Sequence, residues 1–591
     1  MPRRIPQKPS LPTRKKTEAA HSPGATETKF DKYFVSRLER LEPVKRFVIG
    51  WLLLLVVLIG GLFAQNVLLS NYYQPLRPVP GGIYNEGVEG TFTNANPIFA
   101  TSDVDRSVSR LIFAGLFTYD QHNHLTGELA KDYSVDAAGT TYTVHLKPHL
   151  TWQDGAPLTS NDVVFTYQTI QNPDTQSPLE SSWQNIDVSA PNAQTVVFKL
   201  PGPLASFPYN LTTGIVPKHL LGGITPVRLR SADFNTVHPI GAGPFAWQAI
   251  QVTGNDPSTA QEQIAMVPFA GYVRGKPKLQ EFILHADASS DHLVQLFKGG
   301  KLTGLEGLSA VPPEVESMSS LEIHNPLLTA ETMVFFKMSS GVLSNQPVRN
   351  ALVEGTDVPK IIKSLGYPTR TVREPLLPGQ IGYDPSLVQP PFNQKAAEQI
   401  LDNDGWVPGK NGIRYKNGQA LEFTLTAANT AEYRSVTKQL QSQWRQLGVD
   451  AHIQLQDSSD FHNTLAYHNY DAVLYGISIG VDPDVFVYWD SSQADVRSSN
   501  RLNFSEYKNS VADASIEAGR TRMAASLRAI KYKPFLEAWQ KDYPALGLYQ
   551  PRMLYLTNGR VANFGDGPFN SAADRFDNVQ NWEIRQARTN S

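Results

Sequence analysis

The sequence predicts an α/β protein of at least two lobes, held to a membrane by one N-terminal helix. Three observations carry this. The chain has 591 residues, more than one compact core organises. Segments with apolar residues at every second position are interleaved with segments of helical period. An uncharged apolar run, Phe47 to Ala64, lies near the chain start.

Composition narrows the function classes. There are no cysteines, which excludes disulfides, thiolate metal sites, thiol catalysis and a lipid-modified cysteine anchor. Residues 1–46 hold 12 basic and 5 acidic side chains, a net +7, so the remainder carries −9. A mildly acidic body gives no electrostatic case for nucleic acid.

Taken in order, residues 1–29 are rich in Pro, Thr, Lys and Arg and read as disordered. Phe30, Phe34, Leu38 and Leu41 recur at helical spacing among charges, as in a short amphipathic or solvated juxtamembrane helix. The transmembrane helix is expected over residues 47–69. Lys45 and Arg46 abut its N-terminal side, whereas Arg77 is the one basic residue between Ala64 and Ala100. The positive-inside rule then puts residues 1–46 in the cytoplasm and the body outside. A cleaved signal peptide is the rival reading, but its apolar stretch is usually shorter, roughly 7–15 residues, and ends in small-x-small. Here Leu62 and Ala64 flank Phe63. Residues 70–82 form a Pro/Gly spacer.

In the body, Tyr142, Val144 and Leu146 alternate, as do Val196, Phe198 and Leu200, and both read as strands. Between them Thr159 and Asp162 have capping-box spacing, and Val163, Tyr167 and Ile170 share one helical face. Leu421, Phe423 and Leu425 predict a strand. Val436, Leu440, Trp444 and Leu447 predict a helix stopped by Gly448, and Val449, Ala451, Ile453 and Leu455 predict a second strand. A β-α-β succession implies parallel strands. A further helix is expected over about 394–404, capped by Asn393 and ended by Gly405.

The segment TWQDGAPLTSNDVVFTYQ, Thr151 to Gln168, resembles a hallmark of the family 5 solute-binding proteins, the dipeptide, oligopeptide, nickel and opine receptors of ABC importers. Trp152, Asp154, Gly155, Pro157, Leu158, Thr159, Asp162, Val163 and Phe165 match it. PIGAGPFAW, GYVRGKPKLQEFIL, QPVRNALVEGTDVPKII, GQIGYDP and DPDVF are similar to later family segments, in the family's order. In PIGAGPFAW, Gly241, Gly243 and Pro244 are expected to shape a backbone turn. The resemblance covers about residues 82–570.

It implies a type II periplasmic-binding-protein architecture of the large peptide-binding cluster. Lobe I would run over 83–330 with an inserted subdomain at about 120–238, lobe II over 331–545, and residues 546–591 would return to lobe I. Tyr549 and Pro551 would lie near the hinge. The implied partners are a peptide or peptide-like solute, an ABC permease and its ATPase subunits, and the membrane; no cofactor or metal is implied. The chain has no G-x-x-x-x-G-K-[ST] motif of its own.

One departure matters. Peptide-binding relatives carry an Asp four residues before the Pro of a D-P or E-P step, pairing with the ligand's ammonium. The step here is Asp482–Pro483, so the aligned residue is Ile479, and Gly476 stands where a Trp is usual. Candidate ligand-binding residues are therefore Tyr475, Ser478, Ile479, Asp482 and Trp489, with Asp484 as another substitute acid. Sugars, opines and metal chelates stay open as ligands, as does a sensor whose tail signals inside.

A hydrolase reading is weaker. Gly476 to Gly480 spells G-x-S-x-G, but no His follows Ser478, so the expected general base is missing. No H-E-x-x-H motif occurs, and Asp402, Asp404 and Gly405 lack EF-hand spacing.

Overall fold

The computed structural model describes residues 44–73, 76–254, 260–498, 500–565 and 567–588. The expectations for residues 1–29 and for Phe30 to Leu41 lie outside the described residues. The apolar run forms one helix, α1 (Lys45–Tyr73), four residues longer at its C-terminal end than the sequence suggests. Its portion Lys45–Leu69 is long and apolar enough to cross a membrane, and most of its Leu, Val and Phe side chains are exposed. Residues from Pro78 to Gln586 form a separate compact unit.

That unit begins with β1 (Ile83–Glu89) and α2 (Asp103–Ile112). A small antiparallel sheet follows: β2 (Ala130–Val135), β3 (Thr141–Leu146), β4 (Asp187–Asn192) and β5 (Thr195–Lys199), in the order β2-β3-β5-β4. Between β3 and β4 lies α3 (Ser160–Gln171). Its capping box forms as the sequence predicts: the Thr159 amide donates to Asp162 Oδ2 at 2.8 Å. Val163, Tyr167 and Ile170 are buried, with Tyr167 stacked on Trp183 at 4.0 Å.

The larger sheet gathers β6 (Phe245–Thr253), β7 (Gln261–Pro268), β8 (Glu281–Asp287), β9 (Gly304–Glu306) and β10 (Leu321–His324) around β1. The second lobe's sheet comprises β11 (Ala330–Phe336), β12 (Glu422–Ala428), β13 (Asp450–Gln456), β14 (Ala472–Ser478) and β15 (Ala545–Tyr549), in the order β13-β12-β14-β11-β15. β12 and β13 are parallel, as predicted, and are joined by α4 (Ala431–Gln446). Val436, Leu440 and Trp444 of α4 are buried, and Gly448 takes the left-handed conformation that stops it. The helix expected at 394–404 spans Gln394–Asn403, capped by Asn393. Helices α5 (Ser510–Thr521) and α6 (Ala525–Asp542) cover the other face, and β16 (Tyr555–Asn558) returns to the seven-stranded sheet between β9 and β10.

Two chain segments cross between the sheets side by side. Leu328 N–H donates to the Pro551 carbonyl at 2.9 Å, and Met553 N–H to the Pro326 carbonyl at 2.9 Å. Pro551 thus stands in one crossing segment, and Tyr549 is the last residue of β15 before it. The returning chain is fastened inside the first lobe, where Arg575 pairs with Glu86 at 2.9 Å, both fully buried. The Tyr555 hydroxyl donates to the same carboxylate at 2.5 Å.

Candidate functional site

The C-terminal ends of parallel β12 and β14 face the first lobe. Ligands of open α/β sheets gather at this edge, because the loops there are free to line a crevice. Three cavities occupy it. One of about 700 Å³ lies between residues 307–314 of the first lobe and residues 429–434 at the start of α4. One of about 460 Å³ lies by the crossing segments and is lined by Thr329, Arg370, Gln380 and Gln550. One of about 570 Å³ lies between first-lobe residues 119–210 and the loop after β14. The last two share Val481.

The 570 Å³ cavity holds most of the sequence-derived candidates. The first lobe contributes Ser181, Ser182, Ser206, Tyr209 and Asn210; the second lobe contributes Ser478, Ile479, Asp482, Asp484 and Phe486. Ser478 is exposed at the end of β14, and its carbonyl accepts a hydrogen bond from the Tyr488 hydroxyl at 2.7 Å. Ile479 is 5% exposed, and its N–H donates to the Thr329 carbonyl at 3.1 Å. Ile479 therefore offers the cavity no polar group, its side chain packing into the second lobe's core. Burial, with the Asp482 carboxylate adding to it, lifts the Tyr209 phenol above its ordinary pKa.

Asp482 is already engaged. The Arg528 guanidinium donates to both of its carboxylate oxygens, and the two side chains are 4% and 3% exposed. Desolvated charges are held only with such pairing. Asp484 differs: Arg520 Nη2 donates to its Oδ2 at 2.9 Å and Ser206 Oγ at 3.2 Å, while Oδ1 is buried without a partner.

Two candidates lie elsewhere. Trp489 is fully buried in the second lobe's core, its ring 5.7 Å from Phe335 and 5.9 Å from Trp539. Tyr475 is partly buried against Phe504 and Phe461, at 5.1 and 5.9 Å. Neither lines the cavity, because both rings bury more apolar surface inward. Gly241 and Gly243 shape a turn against the end of α2, where a Cβ on Gly241 would sit 2.0 Å from the Ile112 carbonyl oxygen. Gln153 fixes this turn, accepting from Gly241 N–H at 2.9 Å, and the Pro244 carbonyl accepts from Phe269 N–H.

Sequence reasoning missed Ser206, Arg520 and Arg528. They come from elements remote in sequence, and no local pattern marks them. Asp402 and Asp404 resolve as partners of Arg414 and Lys416. Glu422, Asp450 and His452 offer ligand atoms within 4.8 Å of one another, at the N-terminal ends of β12 and β13, the sheet edge away from the cavities.

Two lobes joined by paired crossing segments enclose these cavities, a two-lobed α/β binding-protein architecture. The sequence profile of the bacterial extracellular solute-binding proteins, family 5 middle region, matches residues 124–498, and the chain belongs to that family. It is 25% identical over 491 residues to the oligopeptide-binding protein AppA of Bacillus subtilis, covering 80% of this chain and 87% of AppA. The solved structure of AppA in complex with a nonapeptide superposes with a TM-score of 0.69 at 22% identity, covering 86% of this chain and all of that one. NikZ from Campylobacter jejuni in complex with Ni(L-His) gives 0.70 at 23% identity, covering 85% and 99%. The likeness to the solved structures establishes the two-lobed α/β fold.

Proposed function

We propose that this protein is the membrane-anchored capture subunit of an ABC importer, closing on an oligopeptide-like solute and handing it to a permease. The observation that carries the reading is the 570 Å³ cavity at the end of β14, adjoining the cavity by the crossing segments through Val481, in a chain of this family. The wall mixes hydroxyls, an amide, an ion pair and an aromatic ring. Such a wall suits main-chain contacts and bridging water better than one fixed side chain. Ligand touching both lobes favours the closed state by its differential affinity for it. α1 anchors the body outside the membrane, with residues 1–46 inside.

Ile479 supports a second reading. An apolar side chain cannot neutralise an ammonium, which favours solutes without a free amino terminus, such as opines or metal chelates. Native mass spectrometry of the full-length protein, released gently from detergent, separates the two. A heterogeneous set of co-purifying peptide masses is expected. A single small non-peptide mass, or an empty protein that also ignores a broad peptide library, overturns the peptide assignment.

A further inference from the structure

We propose that Arg370 is the anion anchor of the cleft, taking the carboxylate end of an extended solute in the 460 Å³ cavity beside the crossing segments. The inference rests on the peptide reading above and gives the bound solute a direction.

The three cavities differ in charge. In the 570 Å³ cavity both acids are already engaged, Asp482 with Arg528 and Asp484 with Arg520. The 700 Å³ cavity is acidic, its wall holding Glu89, Asp291 and Glu314 against Arg434. The 460 Å³ cavity is the reverse: its lining has Arg370, His122 and His124 and no Asp or Glu. Asp120, in the same loop as the two histidines, is committed to that loop. It accepts from the His122 and His124 amides at 2.8 and 2.9 Å, and its other oxygen lies 3.4 Å from His124 Nδ1. A carboxylate therefore meets an opposite charge beside Arg370 and like charges in the 700 Å³ cavity.

Arg370 is exposed, and among the described residues its guanidinium has no hydrogen bond or ion pair. A free guanidinium presents a planar fork of N–H donors whose spacing matches the two oxygens of a carboxylate. The backbone beneath it is fixed. The Arg370 carbonyl accepts from Gln550 N–H at 2.9 Å, and Thr369 Oγ1 donates to the Gln550 carbonyl. Gln550 Nε2 in turn donates to the Leu328 carbonyl at 2.7 Å. The position of the cation is thus set by the segments that join the lobes. Val481 lines both this cavity and the 570 Å³ one. A solute reaching from one into the other sets its anionic end by Arg370 and its body against the mixed wall.

Full-length protein in detergent, titrated calorimetrically with a random octapeptide pool synthesised without Asp or Glu, tests this. The pool is made twice, with free C-terminal carboxylates and with C-terminal amides. The wild type should bind the acid pool about tenfold or more tightly than the amide pool. Arg370→Gln should lower acid-pool affinity to that of the amide pool and leave amide-pool affinity unchanged. Equal wild-type affinities for the two pools overturn the anchor while leaving a peptide receptor. A preference for the acid pool that survives Arg370→Gln places the anchor on another group and also overturns it. Equal losses for both pools show a structural role and overturn it as well. A wild-type protein that ignores both pools overturns the peptide reading and this anchor together. An unchanged melting temperature certifies folding; if Arg370→Gln melts early, Arg370→Met decides by the same comparison.

Discussion

Asp482 stands two residues from Asp484 and has the opposite fate. Its carboxylate meets Arg528 of α6, 46 positions later in the chain, and both side chains are almost wholly buried. Removing one partner leaves the other charge unpaired in a low dielectric. Asp482→Ala should therefore destabilise the body by about 3–5 kcal/mol, read by chemical denaturation. Replacing both residues together, Asp482→Leu with Arg528→Met, should recover most of that loss. A single substitution that leaves the denaturation midpoint unmoved would show that the pair is dispensable. The acid itself was legible in the sequence; its partner was not, since nothing near Arg528 distinguishes it from a solvated helix arginine. The same limit hid Ser206 and Arg520. By contrast Thr159 and Asp162 were legible together, because a capping box is closed within three residues and needs no tertiary partner.

At the scale of elements, periodicity identified α3, α4, β12 and β13, since each buries one face and that face repeats in sequence. It could not show that β11 carries an acid into the core. Glu331 lies on β11 opposite Ile477 of β14, fully buried, with neither oxygen partnered. Burial pushes its carboxyl pKa well up, and nearby Glu374 adds to the effect. Burial also lifts Glu374 to about 8 from 4.5, the Asp384 N–H opposing it weakly and the Asp384 charge adding to it. A carboxyl whose folded pKa is raised binds its proton more tightly when folded. Its contribution to stability is complete below the unfolded value of 4.5 and is lost as pH rises through about 8. The melting temperature should therefore fall across that window. Glu374→Gln, which holds a neutral side chain at every pH, should flatten the profile and melt higher than wild type at the alkaline end. A profile identical in slope to wild type would place the titration elsewhere.

At the scale of the whole molecule, the chain combines a cleft-bearing body with one long, exposed apolar helix. The 25 residues Lys45–Leu69 rise about 38 Å at 1.5 Å each, more than the roughly 30 Å of a bilayer's hydrocarbon core, which tilt accommodates. With no cysteine in the chain, a thioether lipid anchor is chemically impossible, so the proposed membrane attachment would fall to this helix. Its basic flank, Lys45 and Arg46, lies on the N-terminal side. The protein should sediment with membranes through carbonate and high-salt washes and be released only by detergent. Protease applied to intact cells should digest the body and spare an N-terminal fragment of residues 1–69. Mass measurement of the detergent-released chain discriminates the alternatives: an intact N-terminal tail fits the anchor, whereas a mature chain beginning near Gln65 would mean that the apolar run is a cleaved signal and that the body is held, if at all, by its permease alone.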